Sequence, residues 1–425
     1  MAIENIPDSE RTGGGRGTTQ WLTLPNCKKV LFVVHTEVYG QRLRDLLPLL
    51  ESDLRVQVGF TIAPHAFNPG AERSLRSLGG AVLPWEEALR TTFDLVLAAG
   101  SQGVDKLRGP LIRLPHGAGH MKLSRLTDDR DPGEAGAGAG AERAVGGLGR
   151  KYLVRDGRVV PRALALAHRD DLVTLERSCP EALPIAEVVG DATYDRITAS
   201  RPLRRRYRAA LGLRRGQRLV LFCSTWGTGS SFNRLDALLP RLRTELPPDR
   251  YRAAVLVHPN VWSGHGEWQV RSWLAAARRQ GVAVVPPEAD WRTLLIAADH
   301  VVGDHGSVTL YSTLTRAAPL LARFPAEDVD PASPGAELAR IAPALSPSHP
   351  LTEQLAYARA AARAAAPEYA RIGRRISSEP GRSGRNTRRL MYRLLGLGEP
   401  AYEPVLPPLP LPEPWDAATA GEVPA

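Results

Sequence analysis

Residues 290–321 read DWRTLLIAADHVVGDHGSVTLYSTLTRAAPLL, and this stretch decides the fold class. Its apolar spacing predicts a helix from about Trp291 to Ala298 and a short buried strand at His300 to Val302. A second helix is expected from about Ser307 to Arg316, and another strand at Leu320. The turn Gly303-Asp304-His305-Gly306-Ser307 therefore lies between the carboxyl end of a strand and the start of a helix. Unpaired amide groups and the positive end of a helix dipole suit an anion there. In open parallel sheets, ligands gather outside the carboxyl ends of the strands. Two glycines let backbone approach a phosphate, and His305 and Ser307 offer donors. A helix cap with a surface histidine is the simpler alternative.

The same alternation extends in both directions. Towards the N-terminus, strands are expected at Leu219–Cys223, Ala253–Val257 and Val282–Val285, with helices near Arg234–Leu246 and Glu267–Gln280. An earlier series runs through Val30–Val34, Val56–Ile62, Ala81–Leu83, Asp94–Ala98, Leu111–Leu114, Ala163–Leu166 and Ala186–Val189, with helices near Gln41–Leu50 and Ala71–Leu78. Continuous apolar runs of this length suit strands covered on both faces. The expected architecture is α/β: two doubly wound Rossmann-like domains, 28–200 and 201–345, facing each other across a cleft. The basic stretch Arg201–Gly216 would bridge them as a helix. C-terminal helices fill 346–398, chiefly Thr352–Ala365 and Arg385–Leu395. Residues 1–27 and the Pro-rich 399–425 are expected to be disordered, and the Gly-Ala-rich 128–150 to be a flexible insertion.

Composition narrows the function classes. The chain has 425 residues and 43% hydrophobic content, enough for two packed cores. Arginine outnumbers lysine 50 to 5, a skew that resembles coding bias. Of the net charge of +10, an excess of +8 lies between Arg359 and Leu395. The remainder is near neutral, which argues against a nucleic-acid-binding protein. Cys27, Cys179 and Cys223 show no metal spacing or pairing pattern, and neither an apolar leader nor a run of about 18 apolar residues occurs. A cytoplasmic location is expected. Arg385, Arg388 and Arg389 share a helical face opposite Leu390, Met391, Leu394 and Leu395. That helix either packs on the body or makes peripheral contact with an anionic membrane at its inner face.

Three further turns at strand ends carry polar groups. In Leu114-Pro115-His116-Gly117-Ala118-Gly119-His120, the imidazole of His116 follows a buried strand and can act as a general base, or simply bond a local carbonyl. His120 and Lys122 are weaker candidates. In Cys223-Ser224-Thr225-Trp226-Gly227-Thr228-Gly229, Ser224 and Thr225 with the glycines resemble an anion cradle, and Trp226 can stack on a base or cover the loop. In Val257-His258-Pro259-Asn260, Pro259 stiffens the strand exit and holds His258 where it can donate to phosphate; a packed structural histidine is the alternative. No Walker A loop, Gly-x-Ser-x-Gly elbow, dinucleotide fingerprint or metal-ligand cluster occurs, so neither metal nor cofactor is expected.

In this order the turns resemble the CDP-glycerol glycerophosphotransferase family, of the teichoic-acid polymerase and primase type, over roughly residues 95–325. Pro115-His116-Gly117 with Lys122 is similar to the family's Trp-His-Gly turn and lysine, and Gly190-Asp191-Ala192-Thr193-Tyr194-Asp195 to its Gly-x-Pro-Arg-x-Asp turn. Cys223-Ser224-Thr225-Trp226 resembles Ala-Pro-Thr-Trp, and His258-Pro259 matches His-Pro. Asp290, Leu294, Leu295, Ala298-Asp299 and Gly303-Asp304-His305-Gly306-Ser307-Val308 resemble the closing motif, with Gly306 in place of a serine, His305 in place of tyrosine and Tyr311 in place of aspartate. The lysine is displaced by one residue, and the Gly190 turn lacks arginine and proline.

The resemblance implies a GT-B fold and metal-free transfer of a polyol phosphate from a CDP-linked nucleotide-diphosphate donor. The acceptor would be a polyol-phosphate, glycan or lipid-linked hydroxyl. His116 would be the base, His258 and Ser307 would hold the pyrophosphate, and Asp304 would position its turn among phosphate-binding neighbours. A nucleotide-sugar glycosyltransferase or epimerase of the same fold is the first alternative, and a non-catalytic ligand- or partner-binding protein the second.

Overall fold

Seven parallel strands form the first sheet, in spatial order Ala186–Val188, Ala163–Leu166, Leu111–Arg113, Leu95–Ala98, Lys28–Val34, Val56–Ile62 and Val82–Leu83. Five parallel strands form the second: Ala283–Val285, Tyr251–Leu256, Arg218–Cys223, His300–Gly303 and Ala318–Leu321. In each sheet the first strand in sequence lies inside, with the second strand on one side and the fourth in that lobe on the other. That reversal opens a crevice at the carboxyl ends. The computed structural model describes residue 24 and residues 26–125 and 143–414.

Burial explains the apolar runs. Val30 to Val34 are all fully buried, and they alternate between two cores. Val30, Phe32 and Val34 pack with Leu43, Leu75 and Leu97, while Leu31 and Val33 pack with Ala88, Phe93 and Val96. A strand with helices on both faces must be apolar on both. Leu219, Leu221 and Cys223 likewise face one core, and Val220 and Phe222 the other.

Several boundaries differ from the expected ones. The helix anticipated at Gln41–Leu50 is Glu37–Arg44, because the Thr36 hydroxyl caps it by accepting from the Tyr39 amide at 3.4 Å. Pro48 then falls in a short 3-10 turn, Leu47–Leu49. The helix expected to reach Arg316 stops at Tyr311 and tightens into the 3-10 turn Ser312–Leu314. There the Ser312 and Thr313 hydroxyls bond back to the Thr309 and Leu310 carbonyls at 2.6 and 2.7 Å, a competition that shortens helices. Arg201–Gly216 resolves into the 3-10 turn Arg201–Leu203 and the helix Arg204–Ala210.

The C-terminal helices do not form a separate unit. Leu351–Ala364 packs on the second sheet, where Leu351, Leu355 and Ala358 join the core of Leu320. Ser383–Leu395 crosses back to the first sheet, and Leu390, Met391, Tyr392 and Leu395 are buried in the core of Val30, Phe32 and Leu97. The expected membrane contact through 385–395 is therefore corrected: burial against the first sheet consumes the apolar stripe that would have entered lipid. Three of its four arginines also pair with carboxylates, Arg388 and Arg389 with Glu399, and Arg393 with Glu187. Among the described residues, no helix is long and apolar enough to cross a membrane.

Two segments expected to be disordered are ordered where described. Residues 401–414 contain no helix or strand, yet they lie along the body. The Leu409 amide donates to Ser200 Oγ at 2.8 Å, its carbonyl accepts from the Tyr207 hydroxyl at 2.8 Å, and its side chain is buried. Those anchors offset the loss of chain entropy that proline has already reduced. Arg143–Val145, the end of the Gly-Ala insertion, pairs antiparallel with Leu123–Arg125. Residues 126–142, which include 128–142 of the insertion, and residues 1–23, 25 and 415–425 of the termini lie outside the described residues.

Candidate active site

A cavity of about 520 Å³ lies between the carboxyl edges of the two sheets. His116, Ser224, Thr225, Trp226, His258, Pro259, Asp304, His305, Gly306 and Ser307 all line it, so the structure brings every sequence-derived candidate to one place. Lys122 and His120 line it as well.

The second lobe builds its wall from three strand exits. Strand Tyr251–Leu256 leads to His258, which caps the helix Pro259–His265 by accepting from the Asn260 amide through Nδ1 at 3.1 Å. That bond assigns the neutral tautomer, since the accepting Nδ1 leaves the proton on Nε2 as a donor. Burial, and then the Lys122 charge, push the imidazolium of His258 down to about 3, so the ring is neutral. Strand His300–Gly303 leads to Asp304, which is 2% exposed and accepts five hydrogen bonds. Its Oδ2 takes the Thr225 and Ser231 amides at 2.9 Å each and their hydroxyls at 2.9 and 3.1 Å. Its Oδ1 takes the Gly306 amide at 3.0 Å.

This network fits the expected role of Asp304, which positions its turn; as a buried carboxylate it is not itself a phosphate ligand. It corrects the expectation for Thr225, whose amide and hydroxyl both donate to Asp304, so that Thr225 is scaffold and not part of an anion cradle. The network also explains the departure at Gly306. A Cβ there would lie 2.6 Å from Thr225 Cγ2, so a serine side chain has no room. Ser224 Oγ and His305 Nδ1, by contrast, are buried and have no hydrogen-bond partner among the described residues.

The first lobe supplies the opposite wall. Strand Leu111–Arg113 leads through Pro115 to His116, whose ring stands 5.0 Å from that of Tyr39. His116 is open to the cavity yet deep within protein. Burial, then the charges of His120, Arg113, Lys122 and Arg42, hold it well below the ordinary histidine range. The imidazole is therefore neutral and able to accept a proton. The lobes meet directly here. Ser307 Oγ accepts from the Ala118 amide at 3.1 Å, and a Cβ on Gly117 would lie 2.6 Å from that oxygen. Only glycine permits this approach.

Several site residues carried no sequence signal. Arg42 donates to the Gly117 carbonyl at 2.7 Å and pairs with Asp191, which also accepts from the Tyr311 hydroxyl at 2.9 Å. Tyr311, standing where the resembling family has aspartate, thus ties the second lobe to the first. Arg292 pairs with Asp45 across the same interface. Arg113, Tyr39, His35 and His65 also line the cavity. A lone arginine or tyrosine inside a helix or strand looks like any other; only the signal of a carboxyl strand end could have found Arg113 and His35.

The wall is rich in cationic and imidazole groups. Lys122 is held below its ordinary range by burial, with Asp304 and Asp328 opposing. His305 is pushed down to about 4, chiefly by burial and then by Lys122. Among the described residues, no cluster of histidine, cysteine, aspartate and glutamate could hold a metal ion. Buried polar atoms are nearly always paired, so the unpaired atoms of Ser224, His305, His120 and Arg113 around one cavity mark a polar ligand site.

Two Rossmann-like lobes joined with their carboxyl edges facing across a cleft constitute the GT-B fold, a class of transferase architecture. Known structures share it. The chain matches a variant of the wall teichoic acid polymerase TagF soaked with CDPG at a TM-score of 0.58, with 13% identity over 88% of this chain and 91% of that one. TagF itself matches at 0.55, with 12% identity over 87% and 90%. The S. aureus MnaA–UDP structure matches at 0.51, with 12% identity over 89% and 100%. The fold is therefore that of the teichoic-acid polymerase type which the sequence motifs resemble. No protein-family model and no curated protein sequence matches the chain.

Proposed function

We propose that this chain is a transferase that moves a polyol phosphate from a CDP-linked donor to an acceptor hydroxyl in the interlobe cavity. One observation carries the reading: a neutral histidine of the first lobe, His116, shares a single cavity with the phosphate donors of the second, His258 and Ser307. The acceptor oxygen attacks the phosphorus that bears the polyol, its proton passes to His116, and the pyrophosphate bond breaks to release CMP. His258 Nε2–H and the Ser307 hydroxyl face the charge that develops on the bridging and terminal oxygens. Fixed donors in a partly dry site stabilise such charge better than water does. Lys122 adds positive potential, and Ser224 supplies a hydroxyl with no other duty.

Titration calorimetry with CDP, UDP and ADP tests the donor. Preference for CDP supports the reading. Preference for UDP favours a nucleotide-sugar transferase or epimerase, the second reading, which the likeness to MnaA–UDP keeps in view. Silence towards all three would leave a ligand- or partner-binding pair of lobes without turnover. His258→Ala is expected to weaken CDP binding about 10–100-fold, since a hydrogen bond to a charged group contributes about 1.5–3 kcal/mol. An unchanged Kd removes His258 from the donor site.

A further inference from the structure

Helix Ser307–Tyr311 of the second lobe meets the loop of His116 at both its ends. At its start, Ser307 Oγ accepts from the Ala118 amide at 3.1 Å. At its end, the Tyr311 hydroxyl donates to Asp191 Oδ2 at 2.9 Å and accepts from Arg42 Nη2 at 3.3 Å. Arg42 lies on the first-lobe helix Glu37–Arg44, and all three of its guanidinium nitrogens donate. Nη1 reaches Thr193 Oγ1, and Nη1 and Nη2 both pair with the Asp191 carboxylate. Nε donates to the Pro115 carbonyl at 3.3 Å, and Nη2 to the Gly117 carbonyl at 2.7 Å. One guanidinium thus holds the carbonyls of both residues that flank His116.

Among the described residues, the His116 ring itself makes no hydrogen bond; it packs against Tyr39 and stands where its backbone puts it. The pair with Asp191 is enough to neutralise Arg42, and a buried ion pair adds little net stability. The bonds to Pro115 and Gly117 go beyond neutralisation and address the loop of the base. Resting on the transferase reading above, we propose that Arg42 is the positioning residue of that base. With Asp191 and Tyr311 it fixes the backbone of His116 relative to the helix that begins at Ser307, so the docking of the lobes sets where the proton acceptor stands. A misplacement of about 1 Å is enough to lower a rate about 10²-fold. The tyrosine at 311 suits this chain's arrangement, because a hydroxyl can donate to Asp191 whereas a carboxylate there would repel it.

The test follows CMP released from CDP-glycerol with glycerol as the acceptor. It compares the wild type, Arg42→Lys, Tyr311→Phe, His116→Ala and the double variants that carry His116→Ala. Lysine keeps the charge beside Asp191 but, as a point donor, cannot hold both carbonyls. Arg42→Lys is expected to lower kcat at least about tenfold, and Tyr311→Phe severalfold, with the Kd for CDP within about twofold in both. Added to His116→Ala, neither substitution should lower the residual rate by more than about twofold, because residues that act through one group are not additive. A scaffold role would lower the rate by the same factor whether or not His116 is present. Equal factors in the two backgrounds, an unchanged kcat in Arg42→Lys, or weakened CDP binding each overturns the proposal. Should Arg42→Lys fail to fold, the cycle with Tyr311→Phe, which deletes a single oxygen, decides by the same criterion. If the wild type releases no CMP, or His116→Ala releases it at the full rate, the transferase reading falls and this inference with it. If His116→Ala loses the rate and the cycles are additive, only this inference falls.

Discussion

Replacing His116 by alanine is expected to lower kcat about 10²–10⁴-fold while leaving CDP affinity within about twofold, the span usual for a lost general base. The separation follows from geometry. His116 extends from the first lobe, and the groups assigned to the donor extend from the second, so deleting the imidazole removes a proton acceptor without touching the pyrophosphate contacts. Binding that falls equally in His116→Ala and His258→Ala would contradict the division of roles. The pH profiles give an independent check. In the free protein, burial and the charges of His120, Arg113, Lys122 and Arg42 hold the imidazolium well below its usual range. The base is therefore neutral and competent well into mild acid, and is lost only as pH falls through that lowered value. Bound phosphates add negative charge, which favours the imidazolium and raises the value in the complex. The acid limb of kcat should lie at higher pH than that of kcat/KM. The reverse order would exclude His116 as the group that accepts the proton.

Asp304→Ala is expected to destabilise the second lobe by about 3–5 kcal/mol, among the largest effects of a single substitution in a folded protein. The aspartate is buried and takes five hydrogen bonds, from Thr225, Ser231 and Gly306. Three of those donors are backbone amides, which lack other acceptors in the arrangement described and would be left unsatisfied. The network ties the loop after strand Arg218–Cys223 to the turn after strand His300–Gly303, so its loss should also disorder the wall that carries Ser224 and His305. Asp304→Asn keeps one acceptor oxygen and should cost distinctly less than alanine. Thermal or denaturant unfolding gives the comparison, with a midpoint drop of roughly 10 °C for alanine. Full stability in Asp304→Ala would mean that the five bonds contribute little and that Asp304 is not the scaffold of the turn.

Much of this arrangement was legible in the chain. Apolar runs such as Val30–Val34 and Leu219–Cys223 announce strands covered on both faces, and the turns after them announce a ligand edge. His116, His258 and Ser307 were recognisable because each lies one or a few residues past such a strand. Other features misled for local reasons. The Ser312–Thr315 hydroxyls shortened a helix whose apolar pattern continued, and a helix with a basic and an apolar face resembled a membrane-surface element although its apolar face fills the first core. The proline-rich tail lacks periodicity, yet backbone bonds at Leu409 hold it down.

Sequence alone determined the two parallel sheets, their cleft and the histidines at its edge, because residue spacing reports the local geometry of strand, turn and helix. Only the tertiary structure decided that Asp304 faces Thr225 and Ser231 instead of a ligand, that Tyr311 joins Asp191 across the lobes, and that buried Arg113 has no ion-pair partner among the described residues. Those facts join or separate groups distant along the chain, and the docking of whole lobes, which no local pattern encodes, sets whether a buried charge meets a partner or waits for one.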